Sequence, residues 1–123
     1  MPYKFLNVNP NDDLYAEDCV TRAITVAVGL KYDAVQHLLD ITHYFYHCPK
    51  LCLACYKHLL SDILCYKMFK DEYRHTVEEI ATMYRDKKVV IRIDGHLTCG
   101  MYGIVVDSFD CSKELVNCFW IIE

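Results

Sequence analysis

The chain has 123 residues, 54% of them apolar and ten of them tyrosine, with a formal net charge of −4. A chain of this length makes one domain with a real core and no need of disulfides or metal, because roughly 65% of the unfolded surface leaves water at this size. The scattered Lys and Arg give no electrostatic footprint for nucleic acid, charges cut every apolar run well short of the ~18 residues of a membrane span, and the opening MPYKFLNVNPNDD has no apolar stretch of a signal peptide.

The first predicted element is DCVTRAITVAVGL, residues 18–30, a helix with Asp18 as N-cap and Gly29 as its stop. It sets Cys19 at the first helical position. A helix N-terminus carries about half a positive charge and unpaired N–H groups, so a thiol there is drawn towards its nucleophilic thiolate. The plain alternative is a small buried Cys at the start of a core helix. Asp18, as a neighbouring negative charge, opposes the thiolate in part. Arg22, one turn on, either helps to hold a thiolate or pairs with Asp18 or Glu17.

A second helix follows in KYDAVQHLLDITHYF, with Val35, Leu38, Leu39 and Thr42 at helical spacing, until Pro49 interrupts. The run from Lys50 to about Phe69 keeps apolar residues at i, i+3 and i+4 and predicts a third helix. TVEEIATMYR opens with Thr76 and has Glu79 three residues later, a capping box for a short fourth helix. The period then becomes strand-like in KKVVIRI, HLTCGMYGIVVDSF and ELVNCFWII. Helices followed by an antiparallel sheet make an α+β layout, a single domain over residues 1–123.

HLTCGMYGIVVDSF predicts a hairpin turning at Tyr102-Gly103. With a two-residue turn, Met101 faces Ile104, Cys99 faces Val106 and Thr98 faces Asp107. His96 shares a face with Thr98, so Asp107 is its diagonal cross-strand neighbour. A carboxylate behind a His is the orienter–base part of a nucleophile triad. A three-residue loop would turn Asp107 away; Asp94 is the same-strand alternative, and Asp110 falls on the opposite face.

The eight Cys are 19, 48, 52, 55, 65, 99, 111 and 118. Their share is below the ~8–10% of a disulfide scaffold, so free thiols in a reducing compartment are expected, most of them small buried apolar groups. Cys48, Cys52 and Cys55 have the spacing of radical-SAM iron–sulfur enzymes, whose barrel a chain of this length cannot build. Zinc held by these three with His47 or His58 is a further option. An apolar helical pattern that continues into Leu59 and Leu60 favours core thiols. His37, His43, His58 and His75 read as helix-surface or capping residues. The run HYFYHCP reads either as an exposed interaction surface or as core.

A Cys at a helix start followed by a His and an Asp on adjacent strands resembles the papain-like cysteine peptidases. More narrowly, DCVTRAI, RIDGHLTCG and VVDSFDCS resemble a family of small, mostly uncharacterised proteins of bacteriophages and bacterial mobile elements, with a D-C-x-x-R-A-I opening, a G-H-L-T strand and a D-x-W-D-like closing segment. The resemblance covers both ends of the chain; residues 43–74 read as a variable helical insertion particular to it. It implies a papain-like fold with the nucleophile helix first, Cys19 as nucleophile, His96 as general base and Asp107 as orienter. The implied chemistry is acyl transfer, usually hydrolysis of a peptide or related amide, without cofactor or metal. Deamidation or transglutamination would use the same residues. Papain-like peptidases place an oxyanion-donating Gln shortly before the nucleophile. Here the nearby upstream amides are Asn9 and Asn11, apart from Asn7. Phe109 stands where the family tends to have Trp, a change expected still to fill core.

The expected function is thus a cysteine hydrolase acting on a peptide or protein, in the host cytoplasm or associated with a virion, with self-association possible. The alternative from another class is a catalytically silent papain-like module that serves a virion or binds a host factor.

Overall fold

The computed structural model describes residues 3–11, 18–49 and 51–123; Glu17 and Lys50 lie outside them. The described chain is mixed α+β: β1 (Tyr3–Phe5), α1 (Cys19–Val28), α2 (Tyr32–Tyr46), α3 (Leu53–Lys57), a π-helix (His58–Ile63), β2 (Lys67–Lys70), α4 (Val77–Met83), β3 (Lys88–Ile93), β4 (His96–Met101), β5 (Ile104–Asp107) and β6 (Val116–Ile122). The strands form one sheet in the order β1-β5-β4-β3-β6-β2.

The helix boundaries follow local chemistry. Gly29, at φ 82°, ends α1 with the left-handed turn that glycine adopts without strain. α4 opens with the full capping box: Thr76 Oγ1 accepts from the Glu79 N–H, and the Glu79 carboxylate accepts from the Thr76 N–H. α1, α2 and α3 cover one face of the sheet, where Ile24, Leu39, Leu59, Leu60, Val90 and Trp120 are fully buried together. The Trp120 indole N–H donates to Ser61 Oγ at 2.9 Å, which lets the ring sit in that core with its polar atom satisfied. α4 covers the other face over Val89, Ile91 and Val105.

Two elements differ from expectation. The Lys50–Phe69 run is not one helix. After α3 the helix widens by one residue, with the Leu64 N–H bonding to the Leu59 carbonyl, and stops at Cys65, whose φ is 61°. Residues 67–70 then pair antiparallel with β6, Met68 against Trp120 and Phe69 against Phe119, so the sheet edge claims a segment whose apolar spacing is helical. Nor is the sheet wholly antiparallel and C-terminal. β1 adds to it in parallel, Tyr3 opposite Val105 and Phe5 opposite Asp107.

The hairpin has the expected register. Tyr102 (φ 53°) and Gly103 (φ 89°) form a two-residue turn with both residues left-handed, and Met101, Gly100 and Cys99 pair with Ile104, Val105 and Val106.

Candidate active site

The site forms where the start of α1 meets the start of β4 and the end of β5. Cys19 is the first residue of α1 and His96 the first of β4, and Asp107 closes β5. His96 Nε2 lies 2.7 Å from Asp107 Oδ2, both side chains nearly buried. Cys19, half-buried, shares a cavity wall with the His96 side chain and feels its charge. Cys19, His96 and Asp107 are thus brought together in that sequence.

Electrostatics favour a charged pair. Burial alone would push the Cys19 thiol up; the His96 hydrogen bond, the backbone amide of Leu97 and the imidazolium charge outweigh it and hold the thiol below its ordinary value. Burial alone would lower His96; its hydrogen bonds to Asp107, Cys111 and Cys19 prevail and raise it to about 11. Asp107 is opposed by burial, yet the His96 hydrogen bond, the imidazolium charge and the Ser108 N–H hold its carboxyl below the usual range. The Ser108 N–H donates to Asp107 Oδ1 at 2.6 Å, which leaves Oδ2 for His96.

The surroundings of Cys19 also fall into place. Asp18 occupies the N-cap position but its side chain caps nothing. Its carboxylate is instead ion-paired with Arg22 and accepts from Tyr32 Oη at 2.5 Å and Asn9 Nδ2 at 2.9 Å. The Asp18 charge is therefore balanced beside the thiol rather than set against it, and Arg22 serves Asp18. Asn9 is buried with its amide turned to Asp18 and Tyr32, and its carbonyl accepts from the Asn11 N–H at 2.8 Å. Asn11 is exposed. The carboxamide of Asn9 is thus spent on the Asp18 cluster. Free N–H groups at the start of α1 are closer at hand: the first intrahelical bond is Arg22 N–H to Asp18, which leaves the amides of the first turn open.

Asp94 and Asp110 stand away from His96. Asp94 is exposed and accepts from Asn117 Nδ2, while Asp110 is bound to Ser112. Phe109 does not fill the core; it is 49% exposed and its ring lies 4.6 Å from the His96 ring, a lid over the imidazole. An aromatic two residues past the orienter was the available signal, and strand parity does not extend into that turn.

Sequence reasoning passed over Cys111. It is buried, with Sγ 3.8 Å from Asp107 Oδ2. Among the described residues, His96, Asp107 and Cys111 each offer a ligand atom and these lie within 4.8 Å of one another, a mixed nitrogen, oxygen and sulfur set of the types zinc accepts. Cys48, Cys52 and Cys55 pack instead with the α1–α3 core, Cys55 Sγ directed at the Leu39 carbonyl.

A cavity of about 220 Å³ opens beside the thiol, with Cys19, His96, Cys52, Tyr56, Arg92 and Leu97 in its wall. Among the described residues no helix is long and apolar enough to cross a membrane. Comparison with known protein families, with curated proteins and with solved structures finds no match.

Proposed function

We propose that the chain is a cysteine hydrolase of the papain-like superfamily, a peptidase or amidohydrolase akin to the small proteins of phages and mobile elements. The observation that carries this reading is the charged Cys19–His96–Asp107 array at the mouth of a cavity. Many folds carry a Cys near a His; a thiol held below its ordinary value by an imidazole that a buried carboxylate orients is the arrangement acyl transfer requires.

In the proposed mechanism Cys19 reacts as thiolate with His96 as imidazolium. The thiolate attacks the substrate carbonyl; a C–S bond forms and the carbonyl π electrons move to oxygen. N–H groups of the first turn of α1 face that charge. The oxyanion then collapses, the C–N bond breaks, and the departing amine takes its proton from His96. Neutral His96 next takes a proton from water, hydroxide adds to the thioester, and loss of the carboxylic acid restores thiolate and imidazolium. Asp107 keeps the imidazole in one tautomer and orientation throughout.

The test is mass spectrometry of the intact protein after mixing with p-nitrophenyl acetate. One acetyl group appears on Cys19 and then hydrolyses; His96→Ala forms it slowly and fails to clear it. No acyl-Cys19, or equal turnover by His96→Ala, overturns the reading. A second reading, a catalytically silent module that docks on a host or virion protein, is favoured by the exposed Tyr44 and Phe45, which are 78% and 72% accessible at the end of α2. Failure of acylation turns attention to that surface.

A further inference from the structure

Tyr56 and Arg92 stand beside the nucleophile and take no part in the triad. Arg92 lies on β3 between Leu97 of β4 and Cys118 of β6, on the face that packs under α1 and α3. It is half-buried, and its Nε–H donates to Tyr56 Oη at 2.9 Å. Among the described residues no carboxylate lies within 4.0 Å of its guanidinium. A guanidinium offers five N–H donors in a rigid fork that matches a carboxylate. Here one donor is used inside the protein, and the group borders the same cavity as Cys19 and His96.

Proteins rarely shelter a cation without an anion, because desolvation is costly unless a partner repays it. Burial holds the Tyr56 phenol protonated, up to about 12, so it anchors Arg92 as a neutral acceptor and not as a counter-charge. The remaining wall is largely apolar, from Val20, Leu53 and Leu97. At about 220 Å³ the cavity is smaller than the ~300–1,000 Å³ that encloses a drug-sized ligand, so it takes roughly one side chain.

We infer that Arg92, braced by Tyr56, is the specificity-determining residue of this site and binds a carboxylate of the substrate close to the bond that is cleaved, an inference that rests on the proposed role of Cys19 as nucleophile. The carboxylate belongs either to an Asp or Glu side chain or to a chain terminus; the recognising chemistry is the same.

Three electrophilic probes separate these cases: bromoacetyl-glutamate α-amide, with a side-chain carboxylate; bromoacetyl-glutamine α-amide, which is neutral; and bromoacetyl-glutamine with a free α-carboxylate. The readout is the rate of Cys19 labelling by peptide mass spectrometry. A charged hydrogen bond of the usual strength makes an acidic probe about tenfold faster than the neutral one. Added salt reduces that ratio in the unaltered protein. Arg92→Gln brings it to unity, and Arg92→Lys, which keeps charge without the fork, retains part of it. Whichever acidic probe is faster identifies the source of the carboxylate. Equal labelling by all three probes in the unaltered protein, or an acid preference that survives in Arg92→Gln, overturns the assignment while the activated Cys19 stands. A Cys19 no more reactive towards any probe than exposed Cys65 overturns the hydrolase reading and this inference together.

Discussion

Asp107→Asn tests the triad at its least exposed member. The carboxylate uses its two oxygens differently: Oδ1 accepts from the Ser108 N–H at 2.6 Å and Oδ2 faces His96 Nε2 at 2.7 Å. An amide has one acceptor and one donor end. Whichever way the substituted carboxamide turns, either Ser108 or His96 meets an N–H where it met an oxygen, and the negative charge is gone in both cases. A charge-assisted hydrogen bond contributes about 1.5–3 kcal/mol, and one pH unit of titration corresponds to about 1.36 kcal/mol. His96 then falls, since burial persists while its largest opponent, the Asp107 carboxylate, is gone and only the contacts with Cys111 and Cys19 still favour the charged ring. Without an imidazolium beside it, Cys19 loses its main support as thiolate, and its midpoint rises. Loss of the Asp107 charge also relieves a small repulsion on the thiolate, which works the other way and is the weakest influence on Cys19. The assay is the pH dependence of Cys19 alkylation by iodoacetamide, read peptide by peptide so that the other thiols serve as internal controls. Below the midpoint the substituted protein reacts about ten- to a hundredfold more slowly. An Asp107→Asn protein whose Cys19 midpoint coincides with that of the parent refutes the claim that the carboxylate sustains the ion pair.

Further consequences are open to measurement. Because folding depresses the Asp107 pKa, the stability it contributes is present above the unfolded value of about 3.9 and is lost as pH falls through the folded value; urea midpoints should drop more between pH 5 and pH 2 in the parent than in Asp107→Asn. His96 runs the other way: its contribution is whole below about 6.5 and fades as pH rises through about 11, so His96→Ala narrows its deficit in strong base. Zinc added to the chelator-treated protein should slow Cys19 alkylation through His96, and Cys111→Ala should weaken that effect, as seen in the zinc concentration required. Gly100→Ala places a Cβ 3.0 Å from Ala81 Cβ and should destabilise by about 1–3 kcal/mol in thermal melts, with Ala81→Gly restoring part of it. Thr76→Ala removes the α4 capping box at a cost of about 1 kcal/mol by the same measurement.

What could be read from the residues was local, and local chemistry decided it. Gly29 ends α1 and Thr76 with Glu79 opens α4 because each satisfies backbone groups within four residues. The His96–Asp107 pairing was legible because a two-residue turn leaves a single register, and strand parity then carries side chains to known faces. The failures all involve partners distant in sequence. Tyr3–Phe5 is only three residues long, and it is a strand because β5 offers it an edge. Lys67–Lys70 follows a helical apolar spacing and is a strand because β6 pairs with it. The same limit hid the second layer of the site. Asn9 looked available for an oxyanion until Asp18 and Tyr32 claimed it, and nothing near Cys19 in sequence announces that Tyr56 and Arg92 share its cavity.

The pairing of β1 with β5 bears on when the thiol becomes reactive during synthesis. Tyr3 Oη and the Leu6 N–H both bond to the Asp107 carbonyl, the first across 104 positions of chain. Cys19 is polymerised about 90 residues before Asp107, an interval of about 4–18 s at ~5–20 residues per second. Throughout it Cys19 has neither imidazolium nor strand beneath it and behaves as an ordinary thiol. A chain that stalls before the hairpin carries Cys19 without His96 and Asp107 beside it, so under the proposed hydrolase function truncated products are inert and reactivity arrives with closure of the sheet by β1 and β5.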